Sequence, residues 1–146
     1  MNLHDILAAK GSGVFGTTPE ATLAEAVADL VEKRVGALLV FSDEDPERRR
    51  PVGIVTERDI LYYCSRGKVE LRRSKVVEVM TTSLITATPD DSVEQVLGLM
   101  TAKRIRHVPV LAEGRLLGIV SIGDLVKAQT DQLAIENRFL KDYIRG

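Results

Sequence analysis

An apolar run that begins with glycine and ends at a hydroxyl residue, with an aspartate three positions after that residue, occurs twice. The pairs are Thr56 with Asp59 and Ser121 with Asp124. An ionised carboxylate can accept hydrogen bonds from two neighbouring hydroxyl groups at once. Each hydroxyl residue stands where a helix should begin, and the free N–H groups of a helix start favour phosphate. The same spacing forms a capping box in helices that bind nothing, so both interpretations stay open at this point.

Residues that would indicate catalysis or a metal site are sparse. His4 and His107 are far apart in the sequence, and Cys64 is the single cysteine. No phosphate-loop motif, paired metal-ligand spacing or nucleophile-elbow motif is present. A lone cysteine fits a reducing compartment. We therefore expect a cytoplasmic protein that is not an enzyme and holds no metal.

Composition argues against two classes of partner. The formal net charge is −1, and aromatic residues make up 4% of the chain, which leaves little material for stacking on bases. Basic residues at 66–75 are accompanied by no nucleic-acid-reading motif. No apolar run approaches the roughly 20 residues of a membrane span. We expect neither nucleic acid nor membrane as a partner.

The chain contains an internal repeat. Thr18–Glu20 returns as Thr88–Asp90, an offset of 88 − 18 = 70, and Gly53–Thr56 returns as Gly118–Ser121, an offset of 118 − 53 = 65. The five extra residues of the first copy fall in the polar stretch 42–51. Two copies of one small unit are therefore expected.

Each copy predicts a strand, a helix, two strands and a second helix. Thr18 or Thr88 would cap the first helix, whose first residue is a proline, and apolar residues then follow one helical face. Thr56 or Ser121 would open the second helix. The predicted strands are Val14–Thr17, Ala37–Phe41 and Val52–Val55 in the first copy, and Leu84–Ala87, Val108–Leu111 and Leu116–Val120 in the second. A short helix is predicted near Val76–Met80, and a C-terminal helix over Val126–Ile144.

The ordered, duplicated set of motifs resembles the cystathionine-β-synthase-type (CBS) domain. It consists of Thr-Pro, an amphipathic helix, the strand His107–Val110 and the stretch Gly118–Asp124. Two copies in tandem resemble a CBS pair, or Bateman module. The segment Leu140–Ile144 resembles the tail of small stand-alone bacterial CBS-pair proteins.

The resemblance implies a fold and a function. The fold would be α+β, with two tandem β-α-β-β-α CBS repeats packed as a pseudo-two-fold pair. We expect the first repeat with an N-terminal extension at 1–66, a linker at 67–79, the second repeat at 80–128 and a C-terminal helix at 129–146. The protein would be a homodimer that binds AMP, or else ATP, ADP or NAD(H), in clefts between the repeats. It would signal to an unknown protein partner by a conformational change.

The resemblance also gives binding roles to individual residues. Asp59 and Asp124 would accept hydrogen bonds from ribose hydroxyls, with Thr56 and Ser121 beside them at the helix starts. Thr18 and Thr88 would reach the ribose or phosphate, or else act only as helix caps.

The phosphate side of the two copies differs. Arg106 and His107 match positions that contact phosphate, and Pro109 belongs to the same strand motif. For His107 a satisfied surface or interface histidine is the alternative. The first copy has Gly36 and Ala37 in place of the arginine and histidine.

Two other basic residues are candidate replacements in the first copy. They are Arg58, beside the first aspartate, and Lys10, ahead of the first strand. The two clefts are therefore not equivalent, and we expect AMP in one of them. The alternative function is a ligand-free structural module for dimerisation or protein interaction.

Overall fold

The structure is a computed structural model that describes residues 1–11 and 13–145. Over these residues the chain forms five α-helices, a short 3₁₀ helix and five strands in two small sheets, which confirms the predicted α+β class. Their bounds are α1 Leu3–Lys10, β1 Gly16–Thr17, α2 Leu23–Lys33, β2 Ala37–Val40, β3 Gly53–Thr56, α3 Glu57–Cys64, the 3₁₀ helix Val76–Glu78, α4 Val93–Lys103, β4 His107–Ala112, β5 Arg115–Ser121 and α5 Ile122–Arg145. None of the helices in this part of the chain is long and apolar enough to cross a membrane.

The backbone divides into two compact units, each built around one repeat. The first-repeat unit contains residues 13–85 and 113–116, and the second-repeat unit contains 1–11, 86–112 and 117–145. The N-terminal segment therefore belongs with the second repeat, whereas we had grouped it with the first. The predicted linker at 67–79 is part of the first-repeat unit.

The first-repeat unit has a three-stranded sheet in the order β1-β2-β3. Strand β1 is parallel to β2, and β2 is antiparallel to β3 with Ala37 opposite Thr56. Every residue of β2 is buried, as is typical of a central strand. The core of this unit joins one face of α2 to the sheet and to Val76 of the 3₁₀ helix: Leu23, Ala26, Leu30, Leu38, Val40, Val55, Ile60 and Val76.

The second repeat has a two-stranded sheet of β4 and β5. The strands are joined at Glu113 and Gly114, which both have positive φ (52° and 76°), as a tight hairpin turn requires. The predicted strand Leu84–Ala87 is reduced to a single parallel bridge between Ala87 and Val110. The core contains Leu3, Ile6, Val93, Val96, Met100, Val108, Val110, Val120 and Leu125.

The first helix of each repeat begins four residues later than predicted. Thr22 and Ser92 are the N-caps, and each forms a complete capping box with the residue three positions on, Glu25 or Gln95. Thr18 and Thr88 lie outside the helices, and the prolines that follow them are in turns. A full capping box satisfies two backbone N–H groups at once, so it fixes the helix start more firmly than a proline at the first position.

The segment that precedes each repeat packs on the other repeat. Four N–H groups of these segments donate to carbonyls in the turn before the first helix: Leu3 to Asp91 and His4 to Pro89 (3.0 Å each), Val76 to Ala21 (2.8 Å) and Val77 to Pro19 (3.0 Å). The two sets of acceptors are 70 residues apart, which is the offset of the sequence repeat. Leu3 and Val76 are both completely buried. Helix α1 is thus the structural counterpart of the 3₁₀ helix, at an offset of 73.

Helix α5 is one continuous helix of 24 residues. We had predicted a separate C-terminal helix after residue 128, but nothing interrupts the helix that opens after Ser121. Leu125 is buried, whereas residues 130–145 are exposed. The second helix of the second repeat therefore extends well beyond its core.

Candidate functional site

The two hydroxyl–aspartate pairs lie at the first turns of α3 and α5 and have the same geometry. Thr56 Oγ1 accepts from the Asp59 N–H (3.2 Å), and Asp59 Oδ2 accepts from the Thr56 N–H (3.0 Å). Ser121 Oγ accepts from the Asp124 N–H (3.1 Å), and Asp124 Oδ2 accepts from the Ser121 N–H (2.9 Å). Both pairs are therefore capping boxes. These bonds use only Oδ2 of each carboxylate, so the capping role leaves Oδ1 for a ligand.

A backbone hydrogen bond places the strand residues beside each helix start. The Glu57 N–H donates to the Gly36 carbonyl (3.1 Å), and the Ile122 N–H donates to the Arg106 carbonyl (2.8 Å). These two bonds correspond to each other across the repeat. The structure therefore brings residues 36–37 to Thr56 in one unit and residues 106–107 to Ser121 in the other.

The side chains at these strand positions differ in kind. Arg106 is exposed and His107 half-buried, so the chain segment that contacts the start of α5 carries a guanidinium and an imidazole. Gly36 and the buried Ala37 bring only backbone and a methyl group to the corresponding place. Basic side chains near a helix start suit an anionic group, and the described positions 36 and 37 of the first repeat carry none.

Thr88 and Pro109 are held by the parallel bridge of the second-repeat unit. The Ala87 N–H donates to the Pro109 carbonyl (3.0 Å), and the Leu111 N–H donates to the Ala87 carbonyl (2.9 Å). Pro109 is buried within β4. The Thr88 N–H donates to Asp91 Oδ2 (2.8 Å), which fixes the turn that follows. Thr18 follows β1 in the same way in the first-repeat unit.

Lys10 lies in the second-repeat unit and not, as we predicted, in the first-repeat site. Its Nζ donates to Asp124 Oδ2 (2.6 Å) and to the Ile119 carbonyl (2.8 Å). The side chains of Lys10 and Asp124 are 33% and 26% exposed, so this ion pair is partly shielded from water. The physical reason is the docking of α1, because Leu3 and Ile6 bury this helix in the second-repeat core.

The environment of Asp124 favours the ionised carboxylate. Burial by itself would raise the pKa, but hydrogen bonds and charge from Lys10, together with the Ser121 N–H and hydroxyl, outweigh it and lower the pKa of Asp124 below its ordinary value. Asp124 is therefore a fixed negative acceptor near neutral pH.

Asp59 has different surroundings. Within the described residues, no ion pair of 4.0 Å or less involves Asp59. Arg58 is the second residue of α3 and is exposed. The carbonyl of Ile54, which corresponds to that of Ile119, accepts from the Thr81 N–H (2.8 Å) and so needs no lysine.

The glycines before the two helix starts make room for packing within the protein. A Cβ on Gly118 would lie 2.7 Å from Leu7 Cδ2, and one on Gly53 would lie 2.9 Å from Met80 Sδ and 3.1 Å from the Thr81 carbonyl oxygen. Leu7 and Met80 are also counterparts at the offset of 73. Both glycines thus let the preceding segment of the chain approach the strand closely.

A cavity of about 560 Å³ lies in the first-repeat unit between α2 and α3. Its lining is largely apolar and includes Val31, Leu61 and Cys64, with Arg34 and Glu57 as the charged members. Gly36 is the only predicted binding residue among its lining residues, which exclude Thr18, Thr56 and Asp59. This cavity is therefore distinct from the hydroxyl–aspartate site.

Comparison with known proteins identifies the family. A family model described as the CBS domain matches residues 13–66 and again 76–131. The chain belongs to the CBS-domain family. The two matches coincide with the two repeats, so the resemblance that we stated from the motifs is confirmed, and the sites described above lie in two tandem CBS domains.

Individual relatives agree with this assignment. The mitochondrial CBS domain-containing protein CBSX3 of Arabidopsis thaliana is 35% identical over 99% of this chain and 72% of its own length. The solved structure of the CBS-domain protein ATU1752 from Agrobacterium tumefaciens matches this chain with a TM-score of 0.83 at 32% identity. The match covers 88% of this chain and 99% of that one. The CBS protein PAE2072 of Pyrobaculum aerophilum, solved in complex with AMP, gives a TM-score of 0.74 at 28% identity, over 85% of this chain and 89% of that one.

Sequence reasoning missed the link between α1 and the second CBS domain. A signal was present, because Met1–Leu7 and Ser74–Met80 share the pattern of an apolar residue at the third position and an acid at the fifth. Both acids accept from the N–H of the N-cap residue, Asp5 from Asn2 (3.1 Å) and Glu78 from Lys75 (2.6 Å). Extending the repeat search to these segments would have shown that α1 and the 3₁₀ helix are counterparts.

Proposed function

We propose that this protein is a regulatory module that binds AMP at the second CBS domain, next to Ser121 and Asp124. The observation that carries the proposal is the geometry of this helix start. A partly buried, ionised carboxylate and a hydroxyl at the first turn of α5 lie beside a strand that carries Arg106 and His107. The related protein solved with AMP supports an adenosine ligand.

Each part of AMP has a suitable group in this site. Asp124 Oδ1 accepts from a ribose hydroxyl while Oδ2 stays in the capping box. The Ser121 hydroxyl and the N-terminus of α5 favour the phosphate. Arg106 can hold phosphate oxygens with two parallel N–H donors, and His107 is the next residue, at the start of β4. Thr88 is a second hydroxyl residue in the same unit.

The first CBS domain would bind a phosphate more weakly. Its acceptor, Asp59, forms the same capping box with Thr56, and Thr18 follows β1 of the same unit. Arg58 is the cation next to Asp59 in the sequence, and Gly36 and Ala37 carry no donor in their side chains. We propose that this domain takes a different adenosine ligand, with ATP, ADP and NAD(H) as the compounds to test.

Isothermal titration calorimetry of the nucleotide-free protein with AMP tests the proposal. Asp124→Asn keeps an oxygen for the capping box but removes the charge, and it should weaken AMP binding by about tenfold or more, since hydrogen bonds to charged groups are worth about 1.5–3 kcal/mol. Asp131→Asn, on the exposed part of α5, is the matched control and should bind like the parent. AMP binding that Asp124→Asn leaves unchanged would contradict the proposal, as would a parent protein that gives no heat.

The proposed output is a conformational change rather than catalysis. No group of three or more His, Cys, Asp or Glu side chains suited to a metal occurs in residues 1–11 and 13–145. A ligand shifts a conformational equilibrium only by its differential affinity for the two states. Small-angle scattering profiles with and without AMP should therefore differ, and superimposable profiles would remove this part of the proposal.

We also propose that the protein acts in the reducing cytoplasm, because its sequence has a single cysteine.

Protein interaction is the second candidate function, and α5 favours it. Its outer part exposes several large apolar side chains: Leu133, Ile135, Phe139, Leu140, Tyr143 and Ile144. Exposed apolar clusters of this kind mark interaction sites. We propose a homodimer that uses this helix. Light scattering should give twice the monomer mass for the parent and the monomer mass for Leu140→Lys, and a monomeric parent would contradict the dimer.

A further inference from the structure

Lys10 is held at two points beside the carboxylate of the second CBS domain. Its Nζ is 2.6 Å from Asp124 Oδ2 and 2.8 Å from the Ile119 carbonyl oxygen. Its backbone is fixed as well, because Lys10 is the last residue of α1, and this helix buries Leu3 and Ile6 in the domain core. The ammonium group is therefore pre-organised rather than a freely moving surface charge.

The hydrogen-bonding capacity of this pair is not used up. A lysine ammonium has three donors, and two of them go to Asp124 and Ile119. Asp124 Oδ2 accepts from Lys10 and from the Ser121 N–H, while these bonds leave Oδ1 available. The pair thus offers one donor and one acceptor at neighbouring positions. A hydroxyl group suits both, since it donates one hydrogen bond and accepts others.

In the first CBS domain, the carbonyl that corresponds to that of Ile119 accepts a hydrogen bond from an uncharged group. The Ile54 carbonyl corresponds to that of Ile119 and accepts from the Thr81 backbone N–H at the same distance, 2.8 Å. In the described part of the chain, no cation lies within 4.0 Å of Asp59. Capping this carbonyl therefore does not require a lysine. What Lys10 adds to the second domain is a charge and a spare donor next to Asp124.

We propose that Lys10 is a specificity-determining residue of the second-domain site, where it donates to the ribose hydroxyl that Asp124 accepts from. The proposal rests on the proposed function, because it takes the adenosine ligand at Asp124 as given. It names what that site selects: an adenine nucleotide whose ribose carries both hydroxyl groups. A 2′-deoxyribose would leave the ammonium donor and the carboxylate acceptor without their partner, and unpaired polar groups in a binding site are costly.

The test compares AMP with 2′-deoxy-AMP by calorimetry, in an Asp59→Asn background that weakens the first-domain site. The parent should prefer AMP by about tenfold or more. Lys10→Met keeps the length of the side chain but removes the donor, and it should reduce this preference by about three- to tenfold. Lys141→Met, which removes an exposed lysine from the outer part of α5, is the matched control and should keep the parent preference.

Three results would overturn the proposal. If Lys10→Met weakened both nucleotides equally, the lysine would serve only to hold α1 and Asp124 in place. If Lys10→Met bound AMP more tightly, the ammonium would compete with the ribose rather than read it. If the parent bound no AMP, the proposed function would fail and this proposal with it, whereas the first two results leave the AMP site intact. Circular dichroism and thermal melting of each variant separate loss of fold from loss of selectivity.

Discussion

Replacing Leu3 with alanine tests whether the N-terminal helix belongs to the core of the second CBS domain. Leu3 has no exposed surface and lies in one cluster with Val93, Val96 and Leu125. Burial of a leucine side chain is worth about 1.5–3 kcal/mol, and the cavity left behind brings a Leu→Ala substitution to about 2–5 kcal/mol. The turn at Asp91 constrains the collapse of this cavity, because it bonds to the Leu3 N–H. We therefore expect a loss of about 3 kcal/mol.

Native-state hydrogen exchange measures this loss domain by domain. A change of about 3 kcal/mol corresponds to an increase of about 150-fold in the opening equilibrium. The increase should appear in α1, α4 and β4, while β2 and β3 of the first domain keep their protection. Val76→Ala is the matched control, since Val76 is the completely buried counterpart of Leu3 in the first domain. It should raise exchange in β2 and β3 instead.

Two patterns of exchange would refute the reasoning. If Leu3→Ala left α4 and β4 protected and raised exchange only in residues 13–66, the N-terminal helix would stabilise the first domain. An effect confined to α1 itself would also count against a shared core, because it would mean that the helix detaches without loosening the domain.

Three further predictions concern single contacts. Ser92→Ala should lower the free energy of unfolding by about 1 kcal/mol, whereas Thr88→Ala should change it by less than about 0.5 kcal/mol, because of these two residues Ser92 is the one that caps α4. Urea denaturation measures both changes, and equal losses would contradict the prediction. Gly53→Ala should destabilise the protein in a thermal melt, because its new Cβ would lie 3.1 Å from a backbone oxygen, and an unchanged melting temperature would show that the strand can shift. The folded-state pKa of Asp124 is lowered, so its stabilising contribution is full above the unfolded pKa of about 3.9 and is lost as the pH falls through the folded value. The urea midpoint of the parent should therefore drop more steeply below about pH 4 than that of Lys10→Met, and parallel curves would argue against the ion pair.

The amino-acid sequence by itself determined the repeat, the helix–strand order and the two hydroxyl–aspartate pairs. Thr56 and Ser121 were identified as helix starts because the signal is local: a hydroxyl and an acid three residues apart, after a buried apolar strand. The same rule, applied to Thr22 with Glu25, would also have given the correct start of α2. The prediction failed there because a Thr-Pro pair four residues earlier looked like a cap, although no acid stands three positions after Thr18.

The tertiary structure decided which domain each connecting segment completes. Lys10 and Asp124 are 114 positions apart in the chain, and nothing in local periodicity reports a contact at that distance. The contact exists because Leu3 and Ile6 fit the core of the second domain, where the turn at Pro89 and Asp91 accepts the N–H groups of α1. Helical or strand periodicity shows only which face of an element is buried, and not against which partner it is buried. The placement of Lys10 at the second aspartate, and with it the difference between the two candidate sites, therefore followed from packing rather than from sequence pattern.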